Sequence, residues 1–165
     1  MTATAFRVGL GVDAHRFAAE RPLILGGVRF RDRDGLLGHS DADVLVHAVM
    51  DALLGAAGLE DIGHLFPDDD PRWKDADSID LLRRVVIRVR EEGWRLGNID
   101  VVVVCEEPRL ASRRGQIRAA LAEAMGVEVS SVGVRGTTFE GMGFTGRREG
   151  ILAQAVALLE RSDLG

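Results

Sequence analysis

The sequence predicts an α+β fold in which helices are layered on one face of a single sheet. Three observations support this prediction. Apolar residues recur at helical spacing over residues 44–56, an unbroken apolar run over residues 99–105 is typical of a strand, and the elements follow the order strand, hairpin, helix, helix, strand, helix, strand, helix. The 165 residues show no internal repeat and no linker, so we expect one domain spanning 1–165.

The first predicted elements are extended. Residues 6–12 combine apolar residues with two glycines, and they predict a strand whose backbone comes close to a neighbouring group. Residues 22–30 predict two short strands joined at Gly26-Gly27, and residues 32–35 predict a turn.

The strongest helical pattern follows these strands. Its apolar stripe runs from Val44 to Ala56, and Gly58 is the predicted stop. Ser40 is the predicted N-cap, with Asp43 three residues later in the capping-box position. His47 lies at the edge of the stripe, where its imidazole can face a cleft.

The second half of the chain alternates helices and strands. A helix begins near Asp77-Ser78 and ends at Gly93, and residues 99–105 predict a strand that is buried on both faces. The remaining predicted elements are a helix over 113–125, a short strand over 132–135, a glycine-rich loop over 136–147 and a last helix over 148–160. The glycines and paired threonines of the loop indicate a segment wrapped around a ligand.

Composition excludes several classes of protein. The formal net charge is −5 and no basic cluster is present, which argues against nucleic-acid binding. No apolar run approaches the ~18 residues of a membrane span, and the N-terminus lacks the pattern of a signal peptide. Cys105 is the only cysteine, so an intrachain disulfide is impossible and a reducing, cytoplasmic location is expected.

Asp13, His15 and His47 form a candidate metal set of two histidines and one carboxylate. If the first strand continues, Asp13 and His15 point to the same face about 6–7 Å apart; the alternative is a strand-end turn with a surface histidine. Zinc in reactive sites takes three such ligands and keeps an open position. Similar sets also hold non-haem iron, so the ligand set leaves the metal open.

Other polar residues suggest phosphate chemistry. The acidic loop with Asp61, Asp68 and Asp70, together with Glu140, offers oxygen ligands for magnesium or acceptors for sugar hydroxyls. Amide groups of the glycine-rich loop and its threonines can bind phosphate, with Arg109 and Arg147 as anion partners. His39 can donate to an oxyanion, whereas His64 and Asp69 are expected to be solvated.

Five longer motifs follow one another along the chain. They are Gly11-Val12-Asp13-Ala14-His15-Arg16-Phe17, Leu23-Ile24-Leu25-Gly26-Gly27-Val28, Gly38-His39-Ser40-Asp41-Ala42-Asp43 with His47-Ala48, Asp61-Ile62-Gly63 with Phe66-Pro67-Asp68, and Gly143-Phe144-Thr145-Gly146-Arg147 with Glu149-Gly150. Together they resemble the 2-C-methyl-D-erythritol 2,4-cyclodiphosphate synthase family, the cyclases of the non-mevalonate (MEP) pathway of isoprenoid and terpenoid biosynthesis.

The resemblance implies a lyase that assembles as a homotrimer, with the sheets packed around the threefold axis and each active site at the junction of two subunits. The implied substrate is 4-diphosphocytidyl-2-C-methyl-D-erythritol 2-phosphate. Its 2-phosphate attacks the β-phosphorus, which closes a cyclic diphosphate and releases CMP. No side-chain nucleophile is needed in this reaction.

The resemblance also implies roles for individual residues. Asp13, His15 and His47 match zinc ligands, Glu140 matches a ligand of magnesium or manganese, and His39 and Thr138 match positions that stabilise the transferring phosphate. The erythritol-phosphate pocket is matched by Ser40, Asp61, Ile62, Gly63, Phe66, Pro67, Asp68 and Asp70. A cytidine-phosphate pocket from the neighbouring subunit is matched by Cys105, Pro108, Arg109, Leu110, Thr137 and Thr138. Phe144 and Arg147 match a cavity on the threefold axis that can hold an isoprenoid diphosphate.

Four positions depart from the family pattern: Asp69 and Phe139 replace threonines, Arg109 replaces a lysine and Asp75 replaces a glycine. Two other functions stay open. One is a metallo-phosphohydrolase, against which the separation of His39 and Asp41 argues, since that signature needs them adjacent. The other is a trimeric binder of isoprenoid diphosphate that has no catalytic role.

Overall fold

A computed structural model describes residues 5–162 of the chain. Its strands are β1 (Phe6–Ala18), β2 (Leu23–Leu25), β3 (Val28–Arg31), β4 (Gly35–Leu36), β5 (Trp94–Val104), β6 (Val132–Thr137) and β7 (Gly150–Arg161). Five strands form a mixed sheet in the order β4-β1-β7-β5-β6, in which only β5 and β6 are parallel neighbours. β2 and β3 form a separate hairpin.

The helices are α1 (Val44–Ala57), α2 (Ile62–Leu65), α3 (Ser78–Glu91), α4 (Arg114–Met125) and α5 (Gly143–Gly146), with 3-10 turns at Pro71–Trp73, Leu110–Ser112 and Val129–Ser131. The three long helices bury their apolar sides together with one face of the sheet. The predicted α+β class with helices on one face is therefore confirmed. Within residues 5–162, no helix combines the length and hydropathy needed to cross a membrane.

The predicted single domain over 1–165 stays a prediction, and its ends at 1–4 and 163–165 lie outside the described residues. The predicted helices over 78–93 and 113–125 are confirmed as α3 and α4. The hairpin is confirmed as well, and both glycines at its turn have positive φ angles, 61° at Gly26 and 74° at Gly27.

Contact between β1 and α1 fixes the centre of the fold. A Cβ atom at Gly9 would lie 2.0 Å from the carbonyl oxygen of Ala52, and one at Gly11 would lie 1.9 Å from that of Ala48. Glycine is therefore required at both positions because the strand backbone touches the helix backbone. This close approach brings the end of β1, with Asp13 and His15, beside the first turns of α1.

The N-terminus of α1 differs from its prediction. Asp43, rather than Ser40, is the N-cap, and its carboxylate accepts hydrogen bonds from the amides of Val46, Gly26 and Gly27. Asp43 is fully buried. Burial and the charge of Asp41 raise the pKa of the Asp43 carboxyl, while the three amides oppose that rise. One carboxylate thus joins α1 to the β2–β3 turn. At the other end Gly58 is the left-handed C-cap, as predicted.

The predicted last helix over 148–160 is wrong, because these residues form β7. Alternate residues of β7 face the helices and are buried: Ile151, Ala153, Ala155, Ala157 and Leu159. Alanine favours helices in isolation, but β7 pairs with β1 on one side and β5 on the other, which satisfies its backbone. The small alanine side chains also allow α1 to pack closely.

The strand predicted over 99–105 runs from Trp94 to Val104, and only one of its faces is buried along most of its length. Ile99, Val101 and Val103 point toward the helices, whereas Asp100 and Val102 on the opposite face are half-buried. The corresponding face of β1 is also apolar and open, with Phe6, Val8, Leu10 and Val12 exposed.

Candidate metal and substrate site

β1 and α1 bring three ligand atoms together at the edge of the sheet. Asp13 Oδ2 lies 2.8 Å from His15 Nε2 and 3.1 Å from His47 Nδ1, and the two nitrogens are 3.2 Å apart. Asp13 and His15 therefore lie on one face of a continuing strand, and the alternative of a strand-end turn is wrong. Among residues 5–162, this is the one group with three convergent metal-ligand atoms.

Hydrogen bonds at the outer ring nitrogens define which atoms face inward. His15 Nδ1 donates to the carbonyl oxygen of Leu37 at 2.7 Å, which leaves a lone pair on Nε2. His47 Nε2 lies 3.1 Å from the hydroxyl oxygens of both Ser40 and Ser78, so its Nδ1 faces the centre. Three acceptor atoms then converge, and only a cation can lie among them. Two imidazoles and a carboxylate fit a divalent transition metal with one position left for a ligand.

The pKa values of Asp13 and His15 support the same conclusion. Burial by itself would raise the pKa of Asp13, but the contacts with His15 and His47 and the charges of these rings outweigh it and hold the pKa well below its usual range. Burial would lower the pKa of His15, yet the hydrogen bond and charge of Asp13 raise it above its ordinary value. Both pKa shifts show that the cluster favours positive charge beside the Asp13 carboxylate.

A cavity of about 220 Å³ opens beside the cluster. Many residues predicted for the metal and erythritol-phosphate sites line it: Asp13, His15, His39, Ser40, His47, Ile62, Gly63, Phe66 and Asp68. The other four lining residues, Gly38, Met50, Trp73 and Leu81, were not predicted from the sequence. Of these, Trp73 could have been noticed from its place next to the acidic loop, where its ring packs edge-on against Phe66 at 5.0 Å.

The acidic loop contains short helical turns and is held to α1. Asp51 accepts a hydrogen bond from the Ile62 amide at 2.9 Å, and Asp61 caps α2 through the amide of His64. Asp61 and Pro67 lie next to the cavity without lining it. Asp70 also lies outside the lining, and its carbonyl accepts from His39 Nε2 at 3.2 Å.

The residues predicted for cytidine phosphate line a second cavity of about 470 Å³: Cys105, Pro108, Arg109, Leu110, Thr137 and Thr138. The two cavities share no lining residue. Arg114 and Arg148 also line the second cavity and were not predicted. Burial, followed by the charges of Glu106 and Glu107, raises the pKa of Cys105 to about 11, so this thiol stays neutral.

Three predicted residues of the glycine-rich loop line neither cavity. Glu140 is exposed with a left-handed φ of 51° and does not join the metal cluster. Phe144 is exposed, and Arg147 pairs with Glu149 at 2.8 Å. His64 is exposed and pairs with Glu60, so its predicted surface position is confirmed.

Comparisons with known proteins agree with these motifs. The model of the YgbB family matches residues 6–160. A 2-C-methyl-D-erythritol 2,4-cyclodiphosphate synthase from Rubrobacter xylanophilus is 64% identical over 160 residues, which are 95% of this chain and 96% of that protein.

Solved structures share the fold. The bifunctional IspDF from Campylobacter jejuni superposes with a TM-score of 0.91 at 40% identity, covering 94% of this chain and 42% of that chain. IspF from Plasmodium falciparum, solved as a CDP complex, gives a TM-score of 0.85 at 29% identity over 98% of this chain and 100% of that chain. From the extent of these matches, the chain belongs to the YgbB family, which includes the 2-C-methyl-D-erythritol 2,4-cyclodiphosphate synthases.

Proposed function

We propose that the chain converts 4-diphosphocytidyl-2-C-methyl-D-erythritol 2-phosphate to 2-C-methyl-D-erythritol 2,4-cyclodiphosphate and CMP. The observation that carries this proposal is the convergence of Asp13, His15 and His47 beside a cavity, in a chain 64% identical to a synthase of that name. As a phosphorus–oxygen lyase of the MEP pathway, the protein would act in the cytoplasm.

The three convergent side chains would hold zinc or a similar divalent metal. When bound, the metal would supply a Lewis acid that neutralises charge on the substrate diphosphate. Glu140 would bind magnesium or manganese. With a chain of net charge −5, cations at the phosphates also reduce the repulsion of an anionic substrate.

The first cavity would hold the methylerythritol phosphate. Ser40, Asp68 and the amide of Gly63 offer donors and acceptors for its hydroxyl and phosphate groups, and Phe66 closes one side. Asp61, Pro67 and Asp70 would shape this pocket from outside the lining. His39 lines the cavity and would stabilise the transferring phosphate, together with Thr138.

The second cavity would hold the cytidine phosphate. Arg109 would pair with phosphate, while Cys105, Pro108, Leu110 and the two threonines would surround the base and ribose. The CDP-bound Plasmodium relative supports a cytidine ligand. Because the family resemblance implies an active site at the junction of two subunits, we assign the second cavity, which shares no lining residue with the first, to a neighbouring subunit of a homotrimer.

The open apolar face of β1 supports this assembly, because such a face is normally covered by a partner. Phe144 and Arg147 would then line the cavity on the threefold axis, where an isoprenoid diphosphate could bind. The trimer would pack its sheets around that axis.

The chemistry is an intramolecular displacement. An oxygen of the 2-phosphate forms a bond to the β-phosphorus, the bond from that phosphorus to the bridging oxygen breaks, and CMP leaves with that oxygen. The protein holds the two ends of the substrate in line, so the rate gain comes from proximity and charge neutralisation. The neutral Cys105 thiol takes no covalent part.

The test is phosphorus NMR of the purified protein with this substrate, zinc and magnesium. We expect the cyclic diphosphate and CMP in equal amounts. Asp13→Asn keeps the side-chain shape, removes one charged ligand, and should slow turnover by about 10³-fold or more. Free phosphate instead of the cyclic product would indicate a hydrolase, and no turnover by a zinc-loaded protein would favour the binding role.

A further inference from the structure

A buried chain of hydrogen bonds lies behind His47. Ser78, the first residue of α3, is fully buried, and its hydroxyl oxygen lies 3.1 Å from His47 Nε2. The same hydroxyl contacts Asp41 Oδ1 at short range. The proposed function gives no role to Ser78 or Asp41, although together they connect the start of α3 to the candidate metal ligand.

The chemistry of these groups fixes the direction of each hydrogen bond. The Asp41 carboxylate can only accept, so the Ser78 hydroxyl donates its hydrogen to it. The Ser78 oxygen then accepts from His47 Nε2–H. The Nδ1 atom of His47 is thereby left with its lone pair facing Asp13 and His15, which is the form that binds a metal.

Asp41 is itself held on both oxygens. Its Oδ1 accepts from the amide of Asp43 at 3.1 Å, and its Oδ2 accepts from the amide of Ser78 at 3.0 Å. Ala42 between the two aspartates is buried and has a left-handed φ of 57°. Because two amides fix the carboxylate, it presents one orientation to the Ser78 hydroxyl.

Ser40 provides a comparison within the same site. Its hydroxyl oxygen is also 3.1 Å from His47 Nε2, and it accepts from the amide of Ala42 at 3.3 Å. No carboxylate contacts this hydroxyl in the described part of the chain. His47 Nε2–H and the Ala42 amide are both donors, so neither can accept the hydrogen of the Ser40 hydroxyl. The Ser40 hydroxyl therefore stays free to donate into the cavity that Ser40 lines.

We propose that Asp41 and Ser78 are positioning residues that set the tautomer and ring orientation of His47 and so increase its affinity for the metal. The pair also releases the Ser40 hydroxyl for the substrate. This inference rests on the proposed metal site and adds two residues to it. Outer partners of metal-bound histidines commonly act in this way.

The test compares Ser78 and Ser40, whose hydroxyl oxygens both lie 3.1 Å from His47 Nε2. Zinc affinity of the full chain is measured by competition with a chromogenic chelator, without substrate. We expect Ser78→Ala to weaken zinc binding about tenfold or more. Ser40→Ala should leave zinc affinity close to that of the unmodified chain and raise KM instead. Equal effects of the two variants on zinc affinity, or none from Ser78→Ala, would overturn the proposal.

Ser78→Ala is expected to fold because Asp77, not Ser78, caps α3 through the amide of Ile79 at 2.8 Å. If the variant does not fold, ¹⁵N-histidine NMR of the unmodified zinc-loaded chain decides the question. A slowly exchanging proton on His47 Nε2 supports the proposal, and a proton on Nδ1 contradicts it. A chain that shows this zinc dependence without releasing CMP would refute the cyclase function alone.

Discussion

The two cavities are built differently: the proposed metal side is the first cavity with Asp13, His15 and His47, and the proposed nucleotide side is the second cavity with Arg109 and Arg148. The metal side is rigid, since Asp13, His15 and His47 each have hydrogen-bond partners and their side chains are only 26%, 18% and 11% exposed. The nucleotide side presents the arginines Arg109 and Arg148, both exposed and with no ion-pair partner in the described residues. One chain therefore pre-organises the candidate cation site and leaves the proposed anion site to be completed by a ligand.

This difference follows from where each cavity lies in the fold. The metal side is formed where β1 contacts α1 backbone to backbone, so small displacements are costly. The nucleotide side is formed by the loops that follow β5 and β6, at the outer edge of the sheet. Loops of that kind can adjust to a ligand or to a neighbouring subunit.

The largest effect is expected from a methyl group placed in the rigid contact. Gly11→Ala would put a Cβ 1.9 Å from the Ala48 carbonyl oxygen, so strand and helix must separate. We expect a loss of about 3 kcal/mol in the free energy of unfolding, together with weaker zinc binding. Urea unfolding and chelator competition measure the two effects.

Gly55→Ala is the matched control on α1. Its Cβ would meet nothing closer than the Leu10 carbonyl oxygen at 4.0 Å. We expect this change to stabilise the protein by about 0.5–1 kcal/mol, because glycine is unfavourable inside a helix. Similar stabilities of the two variants would show that the strand–helix contact is not tight.

A smaller effect is expected at the open side. Arg109→Ala should lower kcat/KM about tenfold or more by removing a charged hydrogen bond to phosphate, with folding and zinc affinity unchanged. Arg83→Ala is the control, since Arg83 is exposed on α3 and pairs with Asp80. Steady-state kinetics compare the two, and a loss of zinc affinity in Arg109→Ala would contradict the separation of the cavities.

The smallest effect is the pH dependence of two quantities, the stability of the fold without zinc and the affinity for zinc. Because Asp13 raises the pKa of His15 above 6.5, the proton stabilises the metal-free fold fully below that pH. This contribution is lost as the pH rises through the folded-state pKa. Zinc affinity should change the opposite way and fall on acidification, since the proton competes with the metal. Thermal unfolding and chelator competition across neutral pH would show both trends, and parallel trends would contradict them.

Residue type and local spacing were enough to predict the metal cluster. Asp13 and His15 stand two apart on a strand, and His47 lies on a helix with a clear apolar stripe. The contribution of Ser78 could not be predicted, because it reaches His47 from 31 residues away through packing of α3 against α1. Asp75 has a left-handed φ of 56°, a conformation that favours glycine, which is the residue that the family resemblance implies at this position.

Two local predictions were wrong for the same physical reason. Ser40 is a good N-cap residue and residues 148–160 are good helix formers. In both places, contacts with other parts of the fold determine the structure that forms. Asp43 caps α1 because it also meets the β2–β3 turn. Pairing on both edges makes β7 a central strand, and its alanines suit close packing under α1.

Mixing two inactive variants tests most directly whether one active site combines the two cavities from different chains. Asp13→Asn damages only the metal side, and Arg109→Glu reverses a charge only on the nucleotide side. If the subunits of a trimer exchange randomly at equal amounts, roughly one quarter of the sites would be intact, and CMP release should recover to about that fraction of the unmodified rate. If each site lay within one chain, no intact site could form, and the mixture would stay as inactive as its components.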